Sequence, residues 1–121
     1  MTPTKSNSIG SRIKSVAYAL KGLRYLITTE PNAILHLIIT LSVILTGLVT
    51  GLNRVEWIAI AIARGIVWIA EGFNTCIELL CDATIGTKYD KRVELIKDIS
   101  AGVVLIASAL SVVIGMIVFF F

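Results

Sequence analysis

Residues 71–82 read EGFNTCIELLCD, and in them Glu71, Asn74, Glu78 and Asp82 recur at steps of three and four. On a helix that turns about 100° per residue these side chains fall within an arc of roughly 80°, so they share one face. Carboxylates in such a row suit two kinds of chemistry. One is holding a hard cation through oxygen, and the other is taking a proton from a hydroxyl as a general base. A third use is a path for protons or ions, which buried acids of small membrane proteins often mark.

The elements that must carry this face are apolar. The chain has 121 residues, 56% of them hydrophobic, with a mean hydropathy of +0.89, which points to one small all-α integral membrane domain over 1–121. Residues 33–52 contain no Asp, Glu, Lys or Arg, and at 1.5 Å per residue they cover a hydrocarbon core of about 30 Å. Residues 55–81 are long enough to span in spite of their acids, and 99–121 hold no ionisable side chain. These three runs are expected to be transmembrane helices. The short GLNRVE joins the first two, and 83–98, ATIGTKYDKRVELIKD, is expected to be a loop between the last two. Its basic residues Lys88, Lys91, Arg92 and Lys97 favour the cytoplasm, which sends the loop and the amino terminus inside.

The segment 1–29 is expected to form an amphipathic surface helix. Ile9, Ile13, Val16, Leu20, Leu23 and Ile27 make one stripe, and its apolar part is too short and too interrupted by charge for a signal peptide. Lys5, Arg12, Lys14, Lys21 and Arg24 face only Glu30 here, and they supply most of the net charge of +3. That excess fits an anionic membrane surface better than nucleic acid. The bend TTEPNA follows, with Pro31 in the first turn of the next helix and Thr28 or Thr29 as its cap, so that Glu30 falls at the mouth of the first span.

A charged group deep in a bilayer costs about 3 kcal/mol on the more lenient scale, so the acidic face must meet protein, water or metal rather than acyl chains. Glu78 and Glu30, at the cytoplasmic boundary, suit Mg²⁺, which takes one or two carboxylates and fills its shell with phosphate and water. Glu71 lies about 10 Å deeper on helix rise, nearer a lipid's polar head, where it suits a general base acting on a lipid hydroxyl. Asn74 stands one turn along to orient either group, and a surfacing helix end is reason enough for Asp82. Arg64 lies about 20° from Glu71 on the wheel. Pairing with the acidic face is favoured over reaching outward to Glu56. His36 is read as a packed, hydrogen-bonded group, Trp57 and Trp68 as interface and packing residues, and Cys76 and Cys81 as small packing residues.

The run E-x-x-N-T-x-I-E-x-x-x-D, followed by IKD and SAGVVLI, resembles the small integral membrane diacylglycerol kinases of bacteria and their undecaprenol kinase relatives. AYALKGLR at 17–24 and Glu30 before its span extend the similarity over nearly the whole chain. The resemblance implies a homotrimer of three-span protomers with surface helices, shared active sites, and an inner-membrane location. It also implies Mg²⁺ as cofactor and ATP as donor, with the γ-phosphoryl group passing to a lipid hydroxyl. Diacylglycerol is the leading acceptor and undecaprenol the alternative.

By motif position, Glu71 resembles the family's catalytic base, Glu30 and Glu78 its metal-binding pair, and Asn74 and Asp82 supporting polar positions. Lys97 and Asp98 match a nucleotide-contacting pair, and Tyr18 a nucleotide-contacting tyrosine. Phosphoryl transfer requires mainly positioning and neutralisation of phosphate charge, tasks open to a metal plus Lys97. No GxxxxGK[ST] sequence and no glycine-rich kinase loop occurs, which excludes the conventional nucleotide folds. A proton- or ion-conducting oligomer has no use for the IKD pair. A noncatalytic relative has none for the three glutamates.

Overall fold

Four helices, α1 (Ile9–Thr29), α2 (Pro31–Thr50), α3 (Arg54–Ile85) and α4 (Lys91–Phe120), account for nearly all of residues 8–121, the part described by this computed structural model. The first seven residues of the expected surface helix, Lys5 among them, lie outside the described residues.

Each boundary has a local cause. Ser8 caps α1, its hydroxyl accepting from the Ser11 N–H at 3.1 Å. The helix stops at Glu30, which is extended at φ −89° and ψ 119° because the residue before a proline avoids the helical region. Pro31 then opens α2, where its missing N–H costs nothing. Neither threonine caps α2, contrary to the sequence expectation. Glu30 is the cap residue and makes no side-chain capping bond, while the Thr28 hydroxyl donates back to the Arg24 carbonyl at 2.7 Å. The Glu30 carboxylate is thereby left for other partners.

Between α2 and α3 the chain reverses at Gly51, whose φ of 75° suits a residue without Cβ. The N–H groups of Gly51 and Leu52 both return to the Gly47 carbonyl, at 2.9 and 3.2 Å. Asn53 and Glu56 then cap α3 reciprocally, at 2.9 and 3.1 Å. Trp57 closes this end of the hairpin as a packing residue. A Cβ on Gly47 would lie 2.7 Å from its ring, so the two helices approach through a position that only glycine fills without displacement.

The expected loop 83–98 is mostly helix. α3 continues to Ile85 and α4 begins at Lys91, leaving 86–90 as the connection. The charges of 83–98 lie mostly on helical residues and so do not mark where the helices end. Asp90 sets the start of α4 by accepting from the Arg92 N–H at 2.8 Å.

α3 is the central element, with its most extensive contact along α4 and slighter ones with α2. The interior is unusual in content: among the described residues seven buried side chains are apolar and seven polar, and the two largest fully buried ones are Glu71 and Val67. Outward positions such as Leu48, Leu105 and Ile106 are apolar and exposed. This inversion suits helices in a hydrocarbon solvent, where apolar surface gains nothing by turning inward and polar groups gain by meeting one another. α2 and α4 are both long and apolar enough to cross a membrane. On α1 the stripe Ile9, Ile13, Val16, Leu20 and Leu23 stays exposed, while Leu26 is buried.

Candidate active site

Glu71, on the buried face of α3, is only 1% exposed. Its Oε2 lies 3.6 Å from His36 Nε2 of α2 and has no hydrogen-bond partner. Glu30, freed at the α1–α2 break, and Glu78, two turns along α3, are both half-buried and within electrostatic reach of Glu71. Three carboxylates from two parts of the chain therefore converge within a single chain. Among the described residues neither Glu30 nor Glu78 forms an ion pair.

A self-sufficient metal cage is absent: no group of three or more His, Cys, Asp or Glu side chains among the described residues is arranged to hold an ion. Two unpaired carboxylates fit a cation that brings phosphate and water as its remaining ligands, as Mg²⁺ does.

The acidic face runs from depth to surface as its spacing foretold. Glu71 and Asn74 are buried, Glu78 is half-buried and Asp82 is exposed. α4 lines it: the Ser100 hydroxyl donates to Asn74 Oδ1 at 2.8 Å, and Lys97 Nζ sits 2.7 Å from Asp82 Oδ1. Ser100 was missed by sequence reading, although it follows Lys97 by three residues and so shares its face. Lys97 therefore stands beside the acids. Asp98 and Tyr18 are exposed and make no hydrogen bond or ion pair among the described residues.

The connection 86–90 is occupied with its own structure. Tyr89 donates its hydroxyl proton to Glu94 Oε2, which pushes the phenol pKa up, and Asp90 pairs with Arg92 at 3.2 Å, which holds its carboxyl below the usual range.

Arg64 corrects the sequence reading. It neither pairs with the acidic face nor reaches Glu56, which is engaged in capping α3. It is buried and donates through Nε to Thr40 Oγ1 at 3.1 Å, through Nη1 to Ser111 Oγ at 3.1 Å and through Nη2 to the His36 carbonyl at 3.2 Å. Side chains on a helix lean toward its N-terminus, so Arg64 extends away from Glu71, which follows it. Trp68 Nε1 also donates to Thr40 Oγ1, at 3.1 Å. His36 is buried as expected, yet its ring nitrogens make no hydrogen bond; Nδ1 has no partner and Nε2 has only the longer approach to Glu71. Both cysteines are free, Cys81 buried and Cys76 exposed.

Two apolar recesses flank α3. The larger, about 800 Å³, lies between α1, α2 and α3 and is lined by residues including Leu23, Leu26, Trp68, Gly72 and Phe73, with Thr40 and Thr75 also in its wall. The smaller, about 240 Å³, lies between α3 and α4 beside Asn74 and Ser100.

Comparison with known proteins gives a consistent result. The family model described as prokaryotic diacylglycerol kinase matches residues 17–119. The chain is 31% identical over 101 residues to a protein of Synechocystis sp. named diacylglycerol kinase, an alignment covering 84% of this chain and 58% of that one. It is 29% identical over 113 residues to the undecaprenol kinase of Bacillus subtilis, covering 93% of this chain and 91% of that one.

Proposed function

The chain belongs to the prokaryotic diacylglycerol kinase family, and from that premise we propose that it is an ATP-dependent lipid kinase, with diacylglycerol as acceptor and phosphatidic acid as product. The observation that carries this reading is the convergence of Glu30, Glu71 and Glu78, the deepest of them almost wholly buried and the other two unpaired.

In this reading the work is divided by depth. Glu71 is the catalytic base: it takes the proton of the lipid hydroxyl as the oxygen–phosphorus bond forms, and the bond from the γ-phosphorus to the bridging oxygen breaks to release ADP. Burial keeps bulk water from competing as acceptor. Glu30 and Glu78 would hold Mg²⁺, which when bound neutralises phosphate charge. Lys97, beside the acids on α4, swings from Asp82 to the phosphates, and Asp98 and Tyr18 complete the nucleotide contacts. Asn74, held by Ser100, orients the centre. The 800 Å³ recess takes the apolar chain of the acceptor.

The assembly that suits this reading is a homotrimer whose α2, α3 and α4 cross the bacterial cytoplasmic membrane, with α1 on the cytoplasmic surface. The membrane crossing is supported by the apolar outer faces of α2 and α4 and the orientation by the basic residues of 83–98, while the trimer follows from the family resemblance. Undecaprenol is the second acceptor, favoured by the alignment along nearly the whole of the Bacillus subtilis relative.

The test is to purify the protein in detergent, establish its oligomeric state, and supply labelled Mg-ATP with diacylglycerol and undecaprenol separately. Label in phosphatidic acid is expected. Transfer to undecaprenol alone selects the second reading, and transfer to neither by an intact oligomer overturns the kinase assignment.

A further inference from the structure

Three buried polar atoms among the described residues lack a hydrogen-bond partner: His36 Nδ1, Glu71 Oε2 and Thr75 Oγ1. Two of them belong to side chains that face each other, with His36 Nε2 and Glu71 Oε2 3.6 Å apart. A histidine retained for packing alone has no reason to aim one nitrogen at a buried carboxylate and leave the other unmet, since buried polar groups are nearly always satisfied.

His36 is also held from several directions. Its carbonyl accepts from Thr40 Oγ1 at 2.7 Å and from Arg64 Nη2 at 3.2 Å. Its ring meets Trp68 edge-on, with centroids 6.3 Å apart and planes at 64°, and Trp68 is pinned to the same threonine. These contacts fix the backbone of His36 and bring Trp68 against its ring, and none of them involves another carboxylate.

We propose that His36 is the positioning residue for Glu71: its Nε2–H holds one carboxylate oxygen in place so that the other meets the acceptor hydroxyl. The inference rests on the reading of Glu71 as the catalytic base. The separation exceeds hydrogen-bond length by about 0.5 Å, and catalytic contacts often tighten only when substrate is bound.

Three substitutions test it in the detergent-solubilised full chain. His36→Gln carries an amide nitrogen near the Nε2 position, His36→Asn carries one near Nδ1, and His36→Leu fills space without a donor. His36→Leu and His36→Asn are expected to lower kcat roughly tenfold to a hundredfold, the scale set by misplacing a reacting group by about 1 Å, with KM for ATP and for lipid nearly unchanged. His36→Gln is expected to recover most of the rate. Should His36→Leu fail to assemble, the Gln and Asn variants still decide, because both are polar and of suitable size.

A second readout needs no turnover. The infrared carboxyl band assigned to Glu71 by its loss in Glu71→Gln should shift in His36→Asn and return in His36→Gln. Wild-type kcat in His36→Leu or His36→Asn, or equal loss in all three variants, overturns the proposal. An inactive wild type indicts the kinase reading instead, and the infrared comparison then tests the contact by itself.

Discussion

The two halves of α3 treat buried polarity in opposite ways. Around Arg64 every nitrogen of the guanidinium has an acceptor, drawn from α2 and α4, and Thr40 uses its hydroxyl fully by donating once and accepting twice. Around Glu71, two turns further on, a carboxylate oxygen, a ring nitrogen and a hydroxyl are buried with no partner, and two more carboxylates stand unpaired nearby. Both halves place a charge where it is costly. The first closes its network within the protein and so ties three helices together. The second leaves its valences open, as the proposed role in meeting a cation and a hydroxyl requires. Completeness of hydrogen bonding, rather than burial or charge, separates the tie from the proposed site.

Substitutions can break or sharpen that contrast. The largest effect is expected from Glu71→Gln, which should lower kcat by about 10²- to 10⁴-fold, the usual contribution of a general base, while nucleotide binding persists. Calorimetric titration with ATP beside a turnover assay checks it, and lost ATP affinity with retained turnover would contradict the assigned role. Glu78→Gln should raise the Mg²⁺ needed for half-maximal activity and lower turnover together, by roughly tenfold or more, as a metal titration of the rate would reveal. Neither change should hinder membrane insertion, because each exchanges a carboxylate for a neutral amide.

Arg64→Met probes the closed half. It should cost about 1–3 kcal/mol of stability through lost hydrogen bonds, with activity reduced by much less than in Glu71→Gln. Thermal unfolding in detergent measures the first quantity. If Arg64→Met leaves stability intact and turnover as low as in Glu71→Gln, the contrast between the halves is wrong.

The smallest effect concerns the cap of α4. Asp90 has its carboxyl held below the usual range by Arg92, so its contribution to stability is present above the ordinary aspartate pKa and is lost as pH falls through the lowered folded value. Hydrogen exchange in the first turn of α4 should quicken at that acid end, while the α3 interior stays protected. Equal loosening of both would show that the cap and the interior are not separate.

Much of this arrangement is legible in the order of residues. Steps of three and four place Glu71, Asn74, Glu78 and Asp82 on one face, and the exposure gradient along that face follows from the distance of each residue from the helix end. Pro31 announces the break that frees Glu30. Charge, by contrast, misleads about 83–98, because it says little about whether backbone hydrogen bonding continues. His36, Thr40 and Ser111 are harder still. They sit in helices apolar on every side, where a single small polar residue carries no periodic signal about which way it faces.

The amino-acid order alone determined the local matters: where helices start and stop, which stretches suit a hydrocarbon layer, and which side of α3 carries acids. These depend on neighbours a few residues apart. Only the tertiary structure decided that Arg64 would be met by neutral acceptors and not by the acids on its own face, and that an imidazole from α2 would stand against Glu71. Those pairings join residues 24 to 47 positions apart for Arg64. They follow from side chains leaning toward the helix N-terminus and from the interhelical need of buried donors for acceptors, neither of which is written in the periodicity of any one helix.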